Sequence, residues 1–155
     1  MFWVLIYIAS IVAVNYGFSV VPLVDLRPLG MWPPMSLLVG AVFVLRDYAQ
    51  RSVGHWVIPA MGVGILLSYY LADPYVAAAS AAAFAISEAC DWIIYTLTGR
   101  PFPQRVLASS AVGTPIDSAV FLSMIDHFSI TGVATMTASK MLAALLVWRC
   151  ARLGQ

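Results

Sequence analysis

Tyr75–Leu97 reads YVAAASAAAFAISEACDWIIYTL, and this stretch decides what kind of protein the chain is. A helix on the surface of a water-soluble domain carries a polar face along its length. Here Ala77–Ala85 is apolar on every side, and the only charges before Leu97 are Glu88 and Asp91. Asp73-Pro74 precedes the run, and Gly99, Arg100, Pro101 and Pro103 follow it. An uninterrupted segment of this length matches the roughly 20 residues a helix needs to cross a bilayer core about 30 Å thick. The ten-residue alternation of a transmembrane β-barrel is missing, here and in Met1–Val14 and Leu142–Val147.

Composition extends this reading to the whole chain. Of its 155 residues 62% are hydrophobic and 10% charged, against roughly 25% charged in an ordinary globular domain. Mean hydropathy is +0.91. The seven acids and eight bases nearly cancel, leaving a formal charge of +1, which excludes a polybasic nucleic-acid binder and an acidic disordered tail. Six spans of about 20 residues would use about 120 positions and leave tight loops. The breaks fall accordingly, and they predict spans at Phe2–Leu23, from Pro33-Pro34 to Ala49, and at Val53–Ala72. Three more are predicted at Tyr75–Leu97, Val106–Ile125 and Gly132–Leu153. The expected fold is an all-α integral membrane protein, a compact bundle of six transmembrane helices forming one domain over residues 1–155.

The first span lacks a basic leading region and is too long and too closely followed by further spans for a secretory signal. Arg46, Arg51, Arg100, Arg105, Arg149 and Arg152 fall on one side of this scheme, and Arg27 alone on the other. Positively charged loops stay inside, so both termini are expected in the cytoplasm and the protein in the cell's inner membrane. Cys90 lies within a span and Cys150 at a cytoplasmic end, which argues against a disulfide, and neither has metal-ligand company. No cofactor is expected.

A short set of polar residues stands where lipid should have excluded them: Asn15, Arg46, Asp47, His55, Glu88, Asp91, Asp117 and Lys140. Each charge near a helix centre costs roughly 2.5–3.5 kcal/mol on insertion scales. Glu88, Asp91, Asp117 and Lys140 must therefore face inward, pair, or line water. Arg46-Asp47 ends the uncharged part of the second span and must lie in an interface or a polar cavity. Glu88 and Asp91 are three residues apart, with Phe84 one turn before and Trp92 and Tyr95 one turn after. Ser110, Thr114, Asp117 and Phe121 recur at helical spacing around Pro115, where a kink and a freed carbonyl are expected. Lys140 can satisfy one acid, which would serve only to hold helices together. The remaining acids favour a polar ligand or a proton pathway. His55 reads as an interface residue. Ala9 and Ala13 form a small-xxx-small pair that suits helix packing or docking of a partner.

Carboxylates flanked by aromatic rings suit a flat ligand rich in N–H donors, such as a guanine-like base. Base–aromatic stacking contributes about 1–3 kcal/mol. Ala85-Ile86-Ser87-Glu88-Ala89-Cys90-Asp91 resembles the Ser-Glu-x-x-Asp signature of the queuosine-precursor transporter family, the vitamin-uptake-transporter (VUT) family. Arg105–Ser110 with Ile116–Phe121 is similar to its fifth-span pattern, and Phe43–Asp47 with Gly54 to its second-span block. Asn15 and Lys140 stand where the family carries an asparagine and a lysine. Arg51 and Val53-Gly54 occupy places where many relatives carry an acidic residue and a Tyr-Gly pair.

The likeness implies import of 7-deazaguanine bases (the cyano or aminomethyl compounds, or queuine) for tRNA modification. It also implies a fold related to the substrate-binding subunits of energy-coupling-factor vitamin importers. Under it, Glu88 and Asp91 hold the ligand's donor edge, and Trp92, Tyr95 or Phe84 stacks on the ring. Asp117 and Lys140 form a neighbouring pair, Asn15 adds an amide hydrogen bond, and Asp47 acts near the cytoplasmic exit. The partners expected are the deazapurine, the lipid bilayer and, as options the residues leave open, a second copy or an ATP-driven module. No paired-His metal motif, Gly-x-Ser-x-Gly elbow or phosphate loop points to an enzyme.

Overall fold

The computed structural model describes residues 1–27, 30–97 and 102–153, with side chains other than those at 88, 91, 92, 95, 96, 102, 103, 105, 106, 109, 147, 148 and 150–153. Six α-helices occupy these residues: α1 (Phe2–Val20), α2 (Ser36–Val53), α3 (Val57–Leu71), α4 (Pro74–Leu97), α5 (Phe102–Met124) and α6 (Ile130–Leu153). They follow the predicted order, and the boundaries differ for local reasons. α1 stops at Val20 rather than Leu23, because Val21 precedes Pro22 and is driven to extended backbone, φ −93° and ψ 115°. α2 continues past Ala49 to Val53, where Gly54 at φ +61° turns the chain into one 3₁₀ turn, Gly54–Trp56, ahead of α3. Only glycine takes that backbone without strain.

The linker after α1 is not a plain loop. β1 (Val24–Asp25) pairs antiparallel with β2 (Met31–Trp32), in the register Val24 to Trp32 and Asp25 to Met31. The indole N–H of Trp32 donates to the Ser139 hydroxyl at 2.8 Å, pinning this ribbon to α6. Two further breaks have visible caps, while the expected one at Gly99, Arg100 and Pro101 lies outside the described residues. Asp73 Oδ1 accepts from the backbone N–H of Tyr75 at 2.9 Å and of Val76 at 3.0 Å, with Pro74 in the first helical position. Asp126 takes the left-handed backbone, φ 58°, that closes α5, and the His127 N–H reaches back to the Leu122 carbonyl at 3.0 Å.

The helices close a ring: α1 lies against α2, α2 against α6, α6 against α5, α5 against α4, and α3 returns between α4 and α1. The α3–α4 seam is the least intimate of these contacts. Two apolar clusters fill the interior. Tyr7, Ile11, Val14, Val42, Phe43 and Phe84 belong to one, and Ala79, Ala83, Phe121, Leu122 and Met136 to the other. Phe18 packs against both, its ring centroid 4.7 Å from that of Phe121. Outside, large apolar side chains face away from the protein, among them Phe2, Leu66, Tyr70, Ile130 and Leu146. Two helical stretches among the described residues are long and apolar enough to cross a membrane, Phe2–Val20 and the continuous Ser36–Leu71. Pro74–Ser87 and Ile130–Leu146 are shorter apolar stretches. The chain is thus an all-helical bundle with membrane-type helices.

α2 and α6 approach at Gly40, where a Cβ would run into the Lys140 carbonyl and the Ala143 side chain. Gly62 of α3 faces open space. Overpacking costs about 1–3 kcal/mol, so Gly40→Val is expected to lower the melting temperature of the detergent-solubilised protein by roughly 2–12 °C. Gly62→Ala serves as the control and should melt no lower than the wild type.

Candidate functional site

Hydrocarbon gives polar side chains no outside partner, so they meet inside the bundle. The Lys140 ammonium of α6 forms an ion pair and hydrogen bond with Asp117 Oδ2 of α5. Lys140 is 0% exposed and Asp117 3%. This settles which acid Lys140 neutralises. Around Pro115, whose ring leaves a carbonyl of the previous turn without its helical donor, α5 supplies hydroxyls. Thr114 donates to the Ser110 carbonyl and Ser118 to the Thr114 carbonyl, each at 2.7 Å. Asn15 Nδ2 of α1 donates to the Ser68 hydroxyl of α3 at 3.0 Å, and Ser68 in turn donates to the Gly64 carbonyl at 2.8 Å. The Lys140–Asp117 and Asn15–Ser68 contacts each tie two helices together.

A second polar group lies at the arginine-rich end of α2. Arg46 and Asp47 are both buried, and Arg46 Nε is 3.1 Å from Asp47 Oδ1. Four residues on, Gln50 Oε1 accepts from Arg46 Nη1 at 3.3 Å. The sequence placed Arg46-Asp47 in an interface or a polar cavity, and the structure puts Arg46 on the wall of one. A cavity of about 410 Å³ lies between α2, the 3₁₀ turn, α3 and α4, with Arg46, Gln50, His55, Met61, Ala85 and Ala89 in its lining. It sits at the loose α3–α4 seam. Its volume falls within the roughly 300–1,000 Å³ of small-molecule sites, and its mostly apolar wall with a few polar groups has the matching character.

The expected site residues divide around this cavity. Lys140, Asp117, Asn15, Asp47 and Phe84 do not line it. Phe84 is a core residue, its ring 5.9 Å from that of Phe43. Asp47 is committed to Arg46, and Asp117 and Lys140 to each other. Glu88, Asp91, Trp92 and Tyr95 belong to α4, and their side chains lie outside the described residues. In the helix Glu88 follows Ala85 by three positions and precedes Ala89, the two α4 residues on the cavity wall among those with described side chains. His55 is exposed and also lines the cavity. Gln50 escaped the sequence reading because a single amide in an apolar span raises no charge anomaly. The signal was its position one turn after Arg46.

A second hollow, of about 560 Å³, runs along the outside of α1 and α3. Ala9 and Ala13 line it with Leu5, Tyr16, Leu67 and Leu71. The alanine pair therefore faces outward into an apolar groove.

No protein-family model, curated protein or solved structure matches the chain, so the reading rests on its own residues. Removing one partner of a buried ion pair costs about 3–5 kcal/mol, because the survivor is left charged and unpaired. Lys140→Met should therefore destabilise the bundle strongly in an unfolding titration, and adding Asp117→Asn to it should recover at least half of the loss.

Proposed function

We propose that this chain is a multi-pass importer of the inner membrane, with six spans and both termini in the cytoplasm. Its cargo is a queuosine precursor, a 7-deazaguanine base of the cyano or aminomethyl kind, or queuine. The observation that carries the reading is the cavity against the Ala85–Ala89 turn of α4. That turn overlaps the Ser-Glu-x-x-Asp segment resembling the transporter family, and Glu88 lies in sequence between the two lining alanines. A carboxylate accepts the paired N–H donors of a guanine-type edge, and Trp92 and Tyr95 of the same helix supply aromatic surface for the ring. The apolar exterior and the six helices suit a bilayer, and the arginine bias of the sequence supports the proposed orientation.

In this reading Asp117 and Lys140 hold α5 to α6 so that the α4 site keeps its shape, and Asn15 does the same for α1 and α3. A buried, matched pair carries no surplus charge for a ligand, which leaves recognition to Glu88 and Asp91.

The outward groove holding Ala9 and Ala13 favours one second reading, a substrate-binding subunit that docks an ATP-driven partner along α1. Uptake assays separate the two. Purified protein alone in liposomes accumulates labelled 7-cyano-7-deazaguanine if the chain is a self-sufficient importer, and only binds it if a motor is required.

Binding of a deazaguanine panel to the detergent-purified protein, with guanine as competitor, tests the reading at its root. Glu88→Gln and Asp91→Asn are each expected to abolish that binding while leaving the amount of protein in the membrane unchanged. Wild-type binding by both variants would remove the carboxylates from the site.

A further inference from the structure

Gln50 is 8% exposed and yet lines the α2–α3–α4 cavity. Its amide has one face to accept and one to donate. Arg46 donates to the oxygen, and a guanidinium has donors only, so the orientation of the amide is set. What remains to Gln50 is its NH₂ group, and no described residue accepts from it. A donor with its partner position open can bind a guest, and the space beside Gln50 is the cavity.

Charge narrows what fills that space. Arg46 would attract an anion if its charge were open, but Asp47 stands 3.1 Å from its Nε. The α2 wall thus donates hydrogen bonds without offering a net positive charge. A phosphate or carboxylate finds no counter-ion there, whereas a neutral acceptor finds a held N–H. Ala85 and Ala89 on the opposite side are small and leave room for a flat ring.

We infer that the Arg46–Gln50 turn of α2 is the acceptor-recognising wall of this cavity, with Gln50 Nε2 donating to a neutral ring carbonyl on the ligand. The inference deepens the importer reading and rests on it. A guanine-type base carries a carbonyl oxygen next to its ring N–H, so α4 carboxylates and the α2 amide read adjacent parts of one edge. Arg46 acts as a positioning residue, since it works through the orientation of Gln50.

The test is equilibrium binding to the full-length protein in nanodiscs, using 7-cyano-7-deazaguanine and its 6-thioxo analogue. The analogue keeps the ring N–H and replaces the oxygen with a poor acceptor. Wild-type protein is expected to prefer the oxo compound at least tenfold. Gln50→Glu still accepts from Arg46 but has no donor; it should weaken the oxo compound at least tenfold and leave the thioxo compound within about threefold, closing the gap. Gln50→Leu removes the donor without adding charge and should close the gap in the same way. If both variants keep the wild-type preference, or weaken both ligands equally, Gln50 does not read the carbonyl and this inference fails alone. If wild-type protein binds neither compound, the importer reading fails and takes the inference with it.

Discussion

The ion pair between Lys140 and Asp117 is the interaction on which the rest of the bundle depends. Both groups are withdrawn from water and lipid alike, and each is tolerable only because the other is present. Their union fixes α6 against α5. α6 in turn holds α2 through the close approach at Gly40 and holds the β1–β2 ribbon through Trp32 and Ser139. A charge pair suits this work better than apolar contact does. Lipid tails offer apolar side chains as good a surface as a neighbouring helix offers, so packing alone selects partners weakly.

Two kinds of polar centre result. The Asp117–Lys140 and Asn15–Ser68 contacts each join two helices in the interior, away from the cavity. The Arg46–Asp47–Gln50 group is built on one helix and borders a cavity, so its hydrogen-bonding capacity is not all spent on holding the fold. Helix contacts are looser where that cavity lies, at the α3–α4 seam, than elsewhere around the ring. The division is physical: the two interhelical pairs join four of the six helices, and the polar group next to the loosest seam is the one able to exchange partners with a solute.

Several turns of the chain were legible before any coordinates. Asp73-Pro74 and Asp126-His127 mark helix ends because proline lacks an N–H and a short acidic side chain can cap or turn a backbone, while the break expected at Gly99, Arg100 and Pro101 lies outside the described residues. The Val21-Pro22 boundary was legible too and was overrun, since the apolar run continues to Leu23 while the backbone before proline cannot stay helical. The ribbon at Val24–Asp25 and Met31–Trp32 left no clear pattern, because strands of two residues have no periodicity to read.

By itself, the amino-acid sequence determined the helical class, the order of the helices, and that Asn15, Arg46, Asp47, Asp117 and Lys140 had to turn inward. Those follow from local rules, namely hydropathy, spacing and chain-breaking residues. Tertiary structure alone decided which polar residues meet. Lys140 had three span acids to choose from and took Asp117, Phe84 went to Phe43 and the core, and Gln50 emerged on the cavity wall. Pairing between helices depends on their rotation and depth relative to one another, which are set by contacts across the whole ring and are written in no single segment.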